Sequence, residues 1–140
     1  MDSILLFNVY ITIFMFSVIL MTQIVSYPLL KNVDNVTFVK YHTFYVSKIF
    51  IIVAPAMVFE FILSFYILYF FKSFDVIFNF LTIALIFLST ILIQVPIHEK
   101  LKHAKDNFLI QRLINTNWIR TILWGTKLVI SHKIFLKEML

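Results

Sequence analysis

Four apolar stretches of the chain are long enough to cross a membrane, and short polar segments separate them. A membrane-spanning helix needs about 20 mostly apolar residues. The predicted spans are residues 4–24, 49–71, 76–95 and 108–130. The sequence contains 1 glycine and 3 prolines, too few for a fold of many short strands joined by turns. The pattern therefore predicts helices throughout.

The fourth stretch is the least apolar of the four. Its charged and amide residues are Gln111, Arg112, Asn115, Asn117, Arg120 and Lys127. Beside three clear spans, such a helix is expected to turn its polar face inward, because ionisable side chains within a bilayer face the protein interior. Short connections make neighbouring helices antiparallel. We therefore predict an all-α integral membrane four-helix bundle with up-down topology, formed by one domain, residues 1–140.

Composition and charge are consistent with a lipid environment. The chain is 61% hydrophobic with 17 Phe and has a mean hydropathy of +0.96, whereas soluble domains are about 45–50% apolar. Most bases behind the net charge of +5 lie in or near the connections. This placement favours lipid headgroups over nucleic acid as the partner. The absence of cysteine excludes thiolate ligands and a cysteine nucleophile.

The up-down topology places the connections 27–47 and 97–107 on one side of the membrane, which we call the motif side. Both termini and the 72–75 turn lie on the other side. Bases assigned to the motif side are Lys31, Lys40, Lys48, Lys100, Lys102, Lys105, Arg112 and Arg120. Bases assigned to the opposite side are Lys72, Lys127, Lys133 and Lys137. The positive-inside rule then predicts a cytoplasmic motif side, and the expected location is the bacterial inner membrane.

Polar residues recur at helical spacing near the motif side of each stretch. Members of one helix face are the pair Gln23 and Tyr27 and the trio Asn117, Arg120 and Trp124. Gln94 and His98 share a face if the third helix continues past Pro96, which is expected to end it, and one continuous helix would align His42 with Glu60. Such side chains are expected to turn inward, since hydrocarbon penalises unsatisfied polar groups. The spacing therefore predicts one shared polar pocket at this end of the protein.

His98 and Arg120 are the candidate catalytic residues. A histidine can carry a proton near neutral pH, and an arginine can hold a developing oxyanion. Glu60 is the expected partner of Arg120. The alternative is that the two form an internal ion pair whose only role is to fix the packing of the helices. His98 could equally cap the third helix, and His42 is expected in a connection. The remaining predicted ligand-binding residues are Gln23, Tyr27, Gln94, Asn117, Trp118 and Trp124, with Tyr27 and the tryptophans as apolar walls.

A metal or cofactor is not specified by the sequence. Glu-x-x-His pairs, which build di-iron sites in helical proteins, do not occur, and we predict no metal site. His42 and His98 could together ligate a b-type haem between helices, which stays open as a less favoured alternative. The cofactor is therefore left unknown.

Two motifs in the last third of the chain resemble a known family. They are Val95-Pro96-Ile97-His98-Glu99-Lys100-Leu101 and Asn117-Trp118-Ile119-Arg120-Thr121. These resemble the last two helices of anthrone-oxygenase-like proteins, small four-span membrane proteins whose pattern is Val-Pro-x-Asn-x-x-Leu followed by Asn-x-x-Arg. His98 stands where that family has asparagine. The resemblance covers residues 94–124 and implies a four-helix fold and oxidation of a flat aromatic or quinone-like substrate.

The leading functional hypothesis is a small membrane protein whose pocket binds a flat amphipathic molecule and acts as an oxidoreductase on it. In this hypothesis, Asn117 and Gln94 orient the substrate. The alternative is a non-enzymatic subunit or assembly factor of a larger membrane complex. Its phenylalanines would then pack against other membrane proteins or a second copy of this chain. The expected partners are thus the lipid bilayer, a small aromatic ligand or neighbouring proteins.

Overall fold

The computed structural model describes the backbone of residues 2–139 and the side chains of residues 3–138. Four helices make up the described chain, which contains no strand. Helix α1 is Asp2–Met21, continued by a π turn at Thr22–Ser26, then Tyr27–Leu29 and a 3-10 turn at Leu30–Asn32. Helix α2 is Phe38–Phe70. Helix α3 is Phe74–Ser89, and it continues through a π turn at Thr90–Gln94 into Val95–Leu101. Helix α4 is Asn107–Met139. The all-helical prediction is confirmed.

Three of the helices are long and apolar enough to cross a membrane. They are Ser3–Asn32, Phe38–Phe70 and Phe74–Leu101. Within the described chain, α4 does not join them, because charged and amide side chains interrupt its apolar face. The fourth predicted span therefore stays a prediction.

Helix α2 begins at Phe38, well before the predicted start at residue 49. The Asp34 carboxylate organises this start by accepting hydrogen bonds from the backbone N–H groups of Val36 and Thr37, at 3.0 and 2.9 Å. The Thr37 hydroxyl also donates to Asp34, and these bonds hold the pKa of this carboxyl below its usual value. His42 consequently lies on a helix, and its predicted place in a connection was wrong.

Two π turns each precede a proline, Pro28 and Pro96. A proline ring clashes with the carbonyl four residues earlier, and a wider turn relieves that clash. Tyr27 and Val95 accordingly donate their N–H groups five residues back, to Thr22 and Thr90. Helix α3 therefore continues past Pro96 to Leu101, and the prediction that Pro96 ends it was wrong.

Helix packing brings α4 against α1 and α3, and α2 against the same two helices. Three apolar clusters lie along the helices, and the middle cluster is Met15, Ile19, Met57, Ile83, Ile86 and Trp124. The single glycine, Gly125, sits where α4 approaches α1, and an added Cβ would lie 3.3 Å from the Phe16 ring. Many large apolar side chains point outward instead, Phe50 and Phe74 with 67% and 80% exposure. Outward apolar faces of this extent suit lipid better than water.

Candidate functional site

A cavity of about 550 Å³ opens between α2 and α3 on the motif side of the molecule. Its walls are mostly apolar and include Ile19, Phe50, Val53, Ala54 and Met57. Its polar lining residues include Thr22, Tyr27, Thr90, Gln94, His98 and Arg120. At the rim, the Lys102 ammonium pairs with Glu99 at 2.5 Å. All four helices thus contribute to one space with apolar walls and a polar end.

Both π turns border this cavity. Thr22 belongs to the π turn of α1, while Thr90 and Gln94 belong to that of α3. Each threonine stands six residues before its proline and donates to the carbonyl four residues back, at 2.8 Å in both cases. π turns inside α-helices are frequently found at functional sites. Their position therefore supports the cavity as the candidate site.

Histidine and tyrosine side chains form a hydrogen-bonded chain at the polar end of the cavity. His42 Nε2 lies 3.0 Å from His98 Nδ1, and His98 Nε2 lies 3.0 Å from the Tyr27 hydroxyl. The fully buried His42 ring stacks against Phe38. A neutral His98 has one N–H group, so it donates to one neighbour and accepts from the other. This arrangement can move a proton between Tyr27 and His42 by reversing both bonds.

The same geometry does not fit a haem held between His42 and His98. Two axial imidazoles bind the iron from opposite faces of the haem. Here the facing nitrogens are hydrogen-bonded to each other at 3.0 Å, which leaves no space for the macrocycle between them. The two histidines therefore act as one polar pair.

Arg120 extends an amide cluster that lies behind the cavity. Its Nη1 donates to Asn117 Oδ1 at 3.3 Å, and Asn117 Nδ2 donates to Gln23 Oε1 at 2.9 Å. Gln23 Nε2 then donates to the Ile114 carbonyl at 3.1 Å. The Arg120 Nε atom is buried without an acceptor among residues 3–138. Asn117 lies one helical turn before Arg120 and so reaches the guanidinium, whereas the expected partner Glu60 does not.

Glu60 pairs with Lys127, at 2.9 Å between Oε1 and Nζ, and both side chains are fully buried. The Thr12 hydroxyl also donates to Glu60, and Lys127 Nζ donates to Asn79 at 3.1 Å. The predicted ion pair of Glu60 with Arg120 was therefore wrong. Depth explains the difference, since Glu60 lies 22 residues after Phe38 and Lys127 lies 20 residues after Asn107, whereas Arg120 lies only 13 after it.

The predicted residues meet at the site only in part. Gln94, His98 and Arg120 line the cavity as expected, while Asn117 touches Arg120 from behind and is not part of the lining. Gln94 Nε2 donates to the Thr116 hydroxyl at 3.1 Å, and its Oε1 is buried without a partner within the described chain. Of the polar groups predicted to share one space, four line the cavity, namely Tyr27, Gln94, His98 and Arg120.

Neither tryptophan forms a wall of the cavity. Trp118 points outward with 48% exposure, since it sits beside the inward stripe of Asn117 and Arg120. Trp124 is fully buried in the middle apolar cluster, against Ile19 and Met57, which themselves line the cavity. The prediction that both tryptophans form apolar walls of the pocket was therefore wrong. Residues of α2 supply those walls instead, and only Tyr27 among the predicted walls takes part.

Sequence reasoning missed the threonines of the π turns and the role of Lys127. The repeated spacing of threonine and proline, at Thr22 with Pro28 and at Thr90 with Pro96, was the available signal. For Lys127, a count of depth along two helices that both start on the motif side would have matched it to Glu60.

No cluster of three or more histidine and acidic side chains that could hold a metal ion occurs within the described residues. Comparisons with protein-family models, curated proteins and solved structures give no match. The interpretation of the site therefore depends on its own geometry and chemistry.

Proposed function

We propose that the chain is an integral membrane protein whose four helices cross the bilayer in alternating directions. Hydrogen bonds between the start of α1 and the end of α4 support this arrangement, with Asn8 Nδ2 3.0 Å from the Ser131 hydroxyl. The bond of Gln23 to the Ile114 carbonyl joins the end of α1 to the start of α4. Helix α4 then crosses as the fourth span, with Lys127 neutralised by its buried partner.

Cysteine labelling tests this topology directly, because the natural chain contains no cysteine. Cysteines placed at Ser3, Ser73 and Glu138 should react with an impermeant maleimide from one side of the membrane. Cysteines at Asn35 and Lys102 should react from the other side, which the excess of bases assigns to the cytoplasm of a bacterium. Labelling of Ser3 and Glu138 from opposite sides would exclude an even number of spans.

We infer that the cavity binds a flat amphipathic molecule of the quinone type. The observation that carries this proposal is the polar end formed by Tyr27, His98 and Arg120 in an otherwise apolar cavity. Binding sites for small molecules typically combine apolar walls with a few polar groups that orient the ligand. The outward-facing Phe50 at the wall provides an approach from the lipid phase.

The polar end can exchange hydrogen bonds and protons with such a ligand. A carbonyl oxygen can accept from Tyr27 or Arg120, and a hydroxyl can donate to His98 when the histidine turns from Tyr27. Oxidation of a quinol to a quinone releases two protons and two electrons. In the oxidoreductase hypothesis, His98 accepts one of these protons and passes it on. Dioxygen or a membrane quinone accepts the two electrons and both protons and becomes hydrogen peroxide or a quinol. This step also follows the resemblance to the anthrone-oxygenase-like family.

The test is to purify the protein from membranes in mild detergent and to identify lipophilic molecules extracted from it by mass spectrometry. Wild-type protein should carry a flat aromatic or quinone compound at close to one molecule per chain. His98→Ala should lose it, while His103→Ala, at an exposed histidine near the same side, should retain it. Equal content in both variants, or phospholipid alone in all three proteins, would refute the proposal.

A second candidate, a subunit or assembly factor of a larger complex, is favoured by the outward phenylalanines. Phe74 and Phe108 are 80% and 73% exposed and lie at helix starts, where a partner helix could pack. Gentle purification of a tagged protein distinguishes the two. A stoichiometric partner together with no bound aromatic compound favours the subunit, and a ligand-bearing chain without a partner favours the binding protein.

A further inference from the structure

Arg120 is buried without a carboxylate partner. It is only 5% exposed. Within residues 3–138, no carboxylate oxygen lies within the 4.0 Å of an ion pair from its guanidinium. The other carboxylates of this region bind elsewhere or are exposed: Asp34 with Thr37, Glu60 with Lys127, Asp75 with Lys133, Glu99 with Lys102, Asp106 with backbone N–H groups, and Glu138.

Lys127, the other buried base of α4, has a carboxylate partner, unlike Arg120. Its ammonium lies 2.9 Å from Glu60 and also binds Asn79. Arg120 instead contacts the neutral side chain of Asn117 at 3.3 Å and lies beside the Tyr27 hydroxyl. Neutral dipoles do not cancel a full charge, and a buried charge is costly unless an opposite charge or strong hydrogen bonds compensate it. The charge of the Arg120 guanidinium is thus left for an anionic group of a ligand to neutralise.

The charged groups around the cavity leave an excess of one positive charge. Arg120 and Lys102 are the bases of the lining, and Glu99 is its acid. Since Glu99 pairs with Lys102 at the rim, the uncompensated charge is that of Arg120 at the inner end. Arg120 lines the cavity, and a guanidinium can bind a two-oxygen anion with paired hydrogen bonds.

We propose that the ligand of this cavity is an amphipathic anion whose charged oxygen binds Arg120. The charge belongs to a carboxylate or to the ionised hydroxyl of a hydroxyquinone. The apolar part of the ligand lies against Val53 and Met57 and extends past Phe50 toward the lipid. This inference rests on the proposed function and specifies the class of ligand.

A pair of closely related ligands, one ionised and one neutral, provides the test. Lapachol, a hydroxynaphthoquinone with an apolar side chain, is ionised at neutral pH, and its O-methyl ether is neutral. Binding of each to wild-type protein is measured by isothermal titration calorimetry in non-ionic detergent, after correction for partition into empty micelles. Lapachol should bind at least tenfold more tightly. Equal binding, or tighter binding of the ether, overturns the inference and leaves the proposed function intact, whereas binding of neither compound counts against both.

Matched arginine variants locate the source of the preference. Arg120→Gln should reduce the preference for lapachol to less than threefold, because it weakens binding of the anion more than binding of the neutral ether. Arg112→Gln makes the same change at an exposed position of the same helix and should keep the full preference. A full preference in Arg120→Gln would refute the assignment to Arg120. If Arg120→Gln does not fold, the comparison of the two ligands on wild-type protein still decides the inference.

Discussion

Replacing Lys127 with methionine removes one half of a buried ion pair and keeps most of the side-chain volume. Lys127 Nζ and Glu60 Oε1 lie 2.9 Å apart, and neither side chain reaches the surface. At an effective dielectric constant of about 20, their attraction is roughly 6 kcal/mol. The variant leaves the Glu60 carboxylate with the Thr12 hydroxyl as its remaining donor. Removing one partner of a buried pair costs about 3–5 kcal/mol, and we expect this loss in the free energy of unfolding.

Lys133→Met is the matched control, because Lys133 lies on the same helix and pairs with Asp75 at 2.8 Å. Its side chain is 64% exposed, and water screens the interaction. A pair of this kind contributes about 0–1 kcal/mol. The two distances are nearly equal, so the comparison isolates burial as the cause of the difference.

The assay is reversible unfolding in mixed micelles with increasing SDS, followed by circular dichroism. Lys127→Met should unfold at a clearly lower SDS fraction than wild type, and Lys133→Met close to wild type. Replacing Glu60 with leucine in the Lys127→Met background should recover part of the loss, because no buried charge is then left alone. Equal effects of the two lysine variants, or no effect of Lys127→Met, would refute the reasoning.

Three further outcomes follow from the described contacts. Tyr27→Phe leaves the His98 Nε2 atom without its partner and should cost about 1–3 kcal/mol in SDS unfolding, and an unchanged free energy of unfolding would contradict the bond. Pro96→Ala removes the cause of the π turn in α3, so the helix should become more stable and the cavity narrower. Calorimetry should then show weaker binding of a quinone probe, and unchanged binding would argue against a role for the turn. Asp34 has a lowered pKa, so its bonds to the start of α2 should persist below the usual carboxyl range and be lost only as pH falls through that lowered pKa. Amide hydrogen exchange near Thr37 measures this protection, which should be absent at every pH in Asp34→Ala.

The sequence pattern predicted the helices better than their ends. Long apolar runs leave few alternatives to helix, because a helix satisfies its own backbone hydrogen bonds. Helix ends depend on single polar side chains, and Asp34 allowed α2 to start at Phe38 within a mixed segment that hydropathy alone assigned to a connection. Pro96 indicated a stop by local rules, yet the chain absorbed it in a wider turn.

The sequence predicted which end of the protein and which helix faces form the candidate site. It was less successful in predicting which side chains pair with each other. Spacing placed His98 and Arg120 on inward faces at the same end, and both line the cavity. Which partner each charge takes depends on relative depth and on helix rotation, which periodicity within one helix does not contain. Glu60 therefore met Lys127 rather than Arg120. The prediction for Trp118 was wrong for a related reason. Trp118 directly follows Asn117, and the rotation of one residue about the helix axis turns its side chain away from the inward stripe.

Photoaffinity labelling with an azidoquinone tests the central claim, that the cavity between α2 and α3 is a binding site, most directly. After illumination in lipid nanodiscs, peptide mass spectrometry should place the label on the cavity walls, on residues such as Val53, Met57 and Gln94. Unmodified quinone should compete with the label, and His98→Ala should abolish the competed fraction. Label spread over outward residues such as Phe59 and Phe65, without competition, would contradict the account.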